Sequence, residues 1–539
     1  MKNRHIFKLL FCSLFFSATV FSQHEPIEKG KFEPTWQSLQ QYKVPDWFRN
    51  VKFGIWAHWG PQCQPEEGDW YARFMYAEGS REYNAHVQKY GHPSEFGFKD
   101  VCNAWKAEKW NPEALVALYK KAGARYFFAM ANHHDNFDNY DSKYQPWNSV
   151  NVGPKKDIIG GWEKAARKNG MYFGISNHAA HAWLFYEPSQ HADKSGAKAG
   201  IPYDGMLTKA DGKGKWWDGL DPQDLYAQNH KLSEGNENIG SIHRQWGWEN
   251  GATAPSEAYC NNFYDRTVDL INKYNPDLLY FDDTALPLWP VSDVGLKIAA
   301  HYYNHNEKIS KGKSDGVIFG KILTDEQKKA ILWDVEKGAP DKIQEIPWQS
   351  CTCIGEWHYR RSVYDENRYK TADKVIRLLV DIVSKNGNML LNVPVRGDGT
   401  IDEKELKVVE KIGEWMKINS DGIYDTRPWK VYGEGPSVET ANPINAQGFN
   451  EGKAKYTADD VRFTTKNNAV YAFLMEKPKA NKVVLKSLAT GNKLSTTKIK
   501  KVDLLGYGKV AFKQLSNGLE IQLPVLNKPT DYVLVFRIK

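Results

Sequence analysis

The sequence predicts an α/β protein, a (β/α)8-type barrel followed by an antiparallel β-sandwich. Three observations predict it. A helix–stop–strand unit recurs four times. The apolar strands of these units end on polar or ionisable residues. Beyond about residue 430 the helical periodicity gives way to short alternating runs. The segments that follow are a leader at 1–22, a barrel at 23–430 and a sandwich at 431–539.

The leader comes first. Lys2, Arg4 and Lys8 precede the apolar run "LLFCSLFFSATVF", which is too short to span a bilayer. Ser22 offers a small residue before Gln23, as a secretory signal would, and Cys12 follows Phe11 rather than a small residue, unlike a lipoprotein signal. The expectation is export to the periplasm or beyond. No later stretch is long and apolar enough to predict a membrane helix. Loss of the leader removes three basic residues and no acidic ones, so the net charge falls from +7 to +4. That is too mild a balance to point to nucleic acid. Cys63, Cys102, Cys260, Cys351 and Cys353 remain, an odd number, and the Cys351/Cys353 spacing suits neither a zinc pair nor a mutual disulfide.

Next come the repeated units. In "NPEALVALYKKAGARYFFAM", Asn111 caps, Pro112 opens and Gly123 closes an amphipathic helix, and an apolar strand follows. "KKDIIGGWEKAARKNGMYFGIS" repeats this with Gly170, and "PSEAYCNNFYDRTVDLINKYNPDLLYFDD" with Asn275-Pro276. "KTADKVIRLLVDIVSKNGNMLLNVP" repeats it with Gly387 as the stop. An earlier strand, "KFGIWAHWG", precedes them. The C-terminal ends of barrel strands carry the chemistry. Here those ends hold His58-Trp59, then Asn132-His133-His134-Asp135, then Asn177-His178, then Asp282-Asp283, then Asn392. No glycine-rich phosphate loop follows any strand. Residues 181–255 interrupt the pattern and read as a long loop over the rim. The closing runs "VRFTTKNNAVYAFLME", "NKVVLKSL", "GLEIQLPV" and "DYVLVFRIK" alternate as strands of a sandwich do.

Composition adds a hint of substrate. Aromatic residues make up 13% of the chain, with 20 Trp, and sugar faces pack on aromatic rings as core side chains do. Asp282 is the first ionisable residue at the end of its strand and is placed as a nucleophile. Asp277 and Asp283 read as structural. A glycosidase needs a second carboxyl group. Asp334, Glu336, Glu356 and Asp69 are candidates, and Glu336 is favoured. A metal centre built from His58, His133, His134 and Asp135 is the rival for the rim. It lacks an HxxxH or HxH pair, and adjacent histidines on a strand point to opposite faces.

The ordered motifs "FGIWAHWG", "GDWYARFM", "NHHDNF" with "YDS", "NPDLLYFD", "VSKNGNMLLNVP" with "GDGTI", and "IGEWMKINSDGIYDTRPW" resemble those of the α-L-fucosidases of glycoside hydrolase family 29. The resemblance covers residues 35–430. It implies a (β/α) barrel with a C-terminal β-sandwich, no metal or other cofactor, and retaining double displacement on terminal α-L-fucosyl residues of oligosaccharides or polysaccharides. By position it implies Asp282 as nucleophile and Glu336 as acid/base. It implies His58, His133 and His134 as hydroxyl partners, and Trp70 and Tyr71 in the sugar site; His178, at the next strand end, is grouped with them. Asp69 stands where the family has glutamate, and Gln349 where it has glutamate before its cysteine, a charge lost near the site. Trp56, Trp59, Trp70 or Phe137 would pack on the sugar. These departures leave an α-L-galactosidase as a close alternative. A non-catalytic carbohydrate-binding protein is the alternative from another class.

Overall fold

The computed structural model describes residues 24–441, 443–444, 448–494, 498–528, 530 and 532–539. The expected leader at 1–22 lies outside the described residues. Eight parallel strands close a barrel in chain order: β1 (Phe53–Ala57), β2 (Tyr126–Asn132), β3 (Tyr172–Asn177), β4 (Leu278–Phe281), β5 (Val317–Gly320), β6 (Leu332–Glu336), β7 (Trp348–Cys353) and β8 (Gly387–Asn392). β1 pairs with both β2 and β8, which closes the ring. Helices cover the outside and side chains fill the inside, so the strands read as nearly continuous apolar runs. Trp56, Tyr126, Phe128, Tyr280, Phe319 and Leu390 belong to the inner cluster. Gly54 is required there, because a Cβ would lie 2.3 Å from the Tyr126 ring.

The helices begin as their caps dictate. Asn111 accepts from Ala114 N at the start of α1 (Pro112–Lys121), and Asp157 from Gly160 N at α2 (Ile158–Lys168). Ser256 accepts from Tyr259 N at α3 (Glu257–Tyr274), which ends on Asn275 in the left-handed region. α4 (Val294–Ile309) and α5 (Ala372–Ser384) follow, and Asp402 with Glu405 forms a capping box on α6 (Glu403–Asn419). One stop differs from expectation. The residue with positive φ after α5 is Asn386, at 74°, and Gly387 already belongs to β8. β7 escapes the helix–strand repeat because irregular segments surround it, and β5 follows α4, whose start carries no side-chain cap. Among the described residues no helix is long and apolar enough to cross a membrane, and all five described cysteines are buried free thiols.

The C-terminal part is antiparallel. One sheet has the order β14 (Gly508–Lys509), β13 (Val502–Leu504), β17 (Leu534–Ile538), β11 (Ala469–Leu474), β10 (Val461–Lys466) and β9 (Arg427–Glu434). The other has β12 (Lys482–Leu485), β16 (Gly518–Gln522) and β15 (Phe512–Leu515). This module touches the barrel at its working end. Gly448 bridges Glu336, Phe449 N donates to the Glu336 carbonyl at 2.8 Å, and Glu451 N donates to the Lys337 carbonyl at 2.9 Å. Gly448 has φ of 119°, and a Cβ there would lie 2.2 Å from the Glu336 carbonyl oxygen.

Candidate active site

A cavity of about 840 Å³ opens at the C-terminal ends of the strands. Asp282, just past β4, and Glu336, the last residue of β6, both line it. Between them stands Lys321, the first residue after β5, whose ammonium group donates to Asp282 Oδ1 at 2.5 Å and to Glu336 Oε2 at 2.6 Å. These two contacts in series set the carboxylate oxygens no more than about 5.1 Å apart. Trp357 Nε1 donates to the other Glu336 oxygen at 3.2 Å. Burial works against the Asp282 charge, but Lys321, His134 and His178 outweigh it and hold this carboxyl well below the usual range. Burial works against Lys321 too, and the carboxylates of Asp282 and Glu336 keep its charge on.

Five histidines, His58, His133, His134, His178 and His243, surround Asp282 or face the same cavity. His178 Nδ1 lies 3.2 Å and His134 Nε2 3.3 Å from Asp282 Oδ2. His134 Nδ1 donates to the His178 carbonyl at 2.7 Å, which leaves Nε2 as the nitrogen that faces Asp282. His133 Nδ1 is held by Gln62 at 2.8 Å. Burial, reinforced by neighbouring imidazoles, keeps His58 and His133 well below the ordinary histidine value. Burial lowers His178 to about 4 against the pull of Asp282. Both nitrogens of His58, and Nε2 of His134, His178 and His358, are buried without a hydrogen-bond partner among the described residues. Such orphans are costly. Here they form a set of donors and acceptors aimed at one space.

Asp69, just before Trp70, lines the cavity and binds His358 Nδ1 at 2.6 Å, with His133 Nε2 3.8 Å away. Trp70 adopts the left-handed region, φ 60°, which turns its ring into the cavity against His243 and Trp246 of the 181–255 segment. That segment therefore forms a wall of the cavity.

Several expectations need correction. Tyr71 does not reach the cavity; it is buried in the next helical turn with its hydroxyl on His86 Nδ1. Trp59 and Phe137 are core residues too, with Trp59 Nε1 donating to the Arg396 carbonyl; of the four expected rings, Trp56 and Trp70 line the cavity. Gln349 lies inside the barrel, below the cavity, and donates to Asp334 Oδ1 at 3.0 Å. The buried carboxyl thus moves to Asp334, which burial pushes up to about 6 against Lys321. His133 and His134 do not point to opposite faces. They follow the end of β2, where strand alternation no longer holds, and their ring centres are 4.4 Å apart. Two sets can accept a metal by proximity: His58, Asp69, His133 and His358, and His133, His134 and His178, each with candidate ligand atoms within 4.8 Å. The rim asparagines serve the loops: Asn392 accepts from His58 N and donates to the carbonyls of Glu356 and Trp357. Glu356 pairs with Arg360 at 2.8 Å at the cavity margin.

Residues 19–421 match the family described as Alpha-L-fucosidase, and residues 454–539 match the Alpha-L-fucosidase C-terminal domain. The chain belongs to the α-L-fucosidase family. It is a glycoside hydrolase. Among α-L-fucosidases, the tissue enzyme of Homo sapiens is 26% identical over 538 residues, 98% of this chain and 95% of that one. That of Bos taurus is 25% identical over 528 residues, covering 94% and 91%. A Thermotoga maritima α-fucosidase in complex with a mechanism-based inhibitor superposes with a TM-score of 0.67 at 25% identity, over 94% of this chain and 99% of that one. The α-L-fucosidase motifs did not point to Lys321, Trp357 and His358. Lys321 carried one legible signal, a charged residue directly after the apolar run "VIFG". Trp357 and His358 lie on an irregular turn with none.

Proposed function

We propose that this protein is an exported, exo-acting α-L-fucosidase that hydrolyses terminal α-L-fucosyl residues with retention. One observation carries the reading: the Asp282–Lys321–Glu336 bridge holds two carboxylates at most about 5.1 Å apart, which suits retaining double displacement, at roughly 5–5.5 Å, and is too short for a water between them as inversion needs. Asp282, kept ionised, attacks the anomeric carbon. Glu336, in the protonated form that the acid step requires, gives its proton to the glycosidic oxygen, and the bond to the aglycone breaks. Glu336, now a carboxylate, takes a proton from water. The water oxygen attacks the same carbon, the ester to Asp282 breaks, and fucose leaves with its original configuration. His58, His133 and His178, held neutral by burial, and His134 beside them offer the partners that vicinal hydroxyls require. The mechanism-based inhibitor bound by the Thermotoga maritima relative supports a covalent route. The basic and apolar leader supports export.

The test is hydrolysis of p-nitrophenyl α-L-fucoside followed by proton NMR. First release of the α-anomer of L-fucose by the wild type, and none by Asp282→Asn, is the expected result. First release of the β-anomer overturns the mechanism. Preference for the α-L-galactoside overturns the substrate, and binding of fucose without turnover of any fucoside overturns the enzyme.

A further inference from the structure

A second cavity, of about 880 Å³, lies beside the first at the seam between the barrel and the C-terminal module. Three chain segments line both. Glu336 and Lys337 face the first cavity and Gly338 the second; Arg368 faces the first and Lys370 the second; Phe449 faces the first and Asn450 and Glu451 the second. The two spaces therefore share one wall. Lys370 clamps that wall, bonding Glu451 at 2.6 Å, Thr352 Oγ1 at 2.9 Å and the Cys353 carbonyl at 2.6 Å. Phe449 is 46% exposed, a large apolar ring left open where the two cavities meet.

The second cavity is strongly basic: seven Lys and Arg side chains line it against three carboxylates. Most of the buried or braced ones are already neutralised. Lys385 and Arg462 share Asp381, and Arg377 pairs with Glu476. Lys374, Lys453 and Lys455 have no ion-pair partner among the described residues, and all three line the cavity and are exposed. Lys374 and Arg377 lie one turn apart on α5 and Lys385 further along the same stripe, while Lys453 and Lys455 face them from the C-terminal module. Tyr456 adds an aromatic wall. Concentrated like charge inside a concave space attracts anions.

We propose that this second cavity is an outer subsite for an anionic glycan, binding a sulfate or carboxylate substituent on the part of the chain released as leaving group. The inference rests on the fucosidase reading above. Its direction follows from Glu336. The group that protonates the departing oxygen stands on the leaving-group side, and its own strand continues into the second cavity's wall. The first leaving sugar then lies over Phe449, and its charged substituent reaches Lys374, Lys453 and Lys455.

The test compares a fucosylated oligosaccharide sulfated on the sugar next to fucose with its desulfated counterpart and with a uronate-bearing analogue. The wild type is expected to favour a charged substrate in kcat/KM, with a preference that shrinks as salt rises. Preference for the sulfated or the uronate substrate identifies the anion. The triple variant Lys374→Ala, Lys453→Ala, Lys455→Ala is expected to lose about tenfold on the favoured substrate, and to keep wild-type rates on the neutral oligosaccharide and on nitrophenyl fucoside. A control variant, Lys120→Ala with Lys121→Ala at the far end of α1, should retain the preference. Equal rates on charged and neutral substrates, or a preference that survives the triple substitution, overturns the proposal. If no fucoside is hydrolysed, the fucosidase reading fails separately. Affinity electrophoresis in a sulfated polysaccharide then judges the cavity by itself, and equal retardation of wild type and triple variant overturns it.

Discussion

Lys321 sets the chemistry of the site at the scale of single residues. Its ammonium group is the main attraction that keeps Asp282 ionised against burial. Lys321→Met removes it, so the Asp282 carboxyl rises, and the acid limb of the kcat/KM profile moves to higher pH. An unchanged acid limb would show that His134 and His178 suffice. Glu336→Gln removes the proton donor, and general acid–base assistance is worth ~10²–10⁴-fold. The loss should be large for a natural glycan and smaller for nitrophenyl fucoside, whose leaving group needs little protonation. An equal loss on both would move the acid/base role elsewhere. Since two carboxylates suffice for this chemistry, dialysis against a chelator should leave turnover unchanged; loss restored by zinc would assign the histidine sets a metal. Placement at the cavity was legible where a side chain ends an apolar strand, as for Asp282, Glu336 and His178. It was misread where a helical turn rotates the chain, as at Tyr71, and where the position falls inside the barrel, as at Gln349. Sequence adjacency says nothing of either rotation.

The elements show why. Capped helices followed by apolar strands were readable in four places, because Asn111, Asp157, Ser256 and the α5 amphipathic stripe act locally. β5 follows a helix without a side-chain cap and β7 has no long helix before it, and so Lys321, just past the first, went unseen. Partners that meet through space leave no periodic trace: Asp69 and His358 touch across 289 positions. The seam at Gly448 is another such meeting, and it is testable. In Gly448→Ala the new methyl group would overlap the Glu336 carbonyl in a backbone conformation that disfavours it. The expected result is a loss of ~1–3 kcal/mol in stability with a raised KM, because Phe449 and Glu336 shift together. Unchanged KM and melting temperature would mean that the seam adjusts freely.

The whole molecule has an acid-sensitive core. His58 and His133 are held well below the ordinary value, and His86, His178 and His301 are at about 4. The unfolded chain therefore takes up protons first, near pH 6.5. Stability should decline as pH falls from there to about 4. Asp135 and Asp334, pushed up to about 6, act in the opposite sense and gain stability as pH falls below that value. Glu405, raised by burial, acts with them, but the lowered carboxyls, Asp282 and Asp381 among them, side with the histidines near pH 4, so the net expectation is a melting temperature that drops by several degrees between pH 6.5 and 4. A flat profile would contradict the neutral histidine cluster. The buried free thiols predict that a reductant leaves the melting temperature unaltered. Expression with the leader intact should yield a mature chain whose mass begins at Gln23; retention of residues 1–22 would remove the case for export.

The seam at Gly448 also bears on how such a protein can be rebuilt. Phe449, contributed by the C-terminal module, lines the same cavity as Asp282, so the catalytic cleft is not the property of the barrel alone. Grafting this C-terminal module onto a related barrel would transplant part of a substrate preference with it, and a barrel expressed without it would keep its nucleophile while losing one side of its doorway.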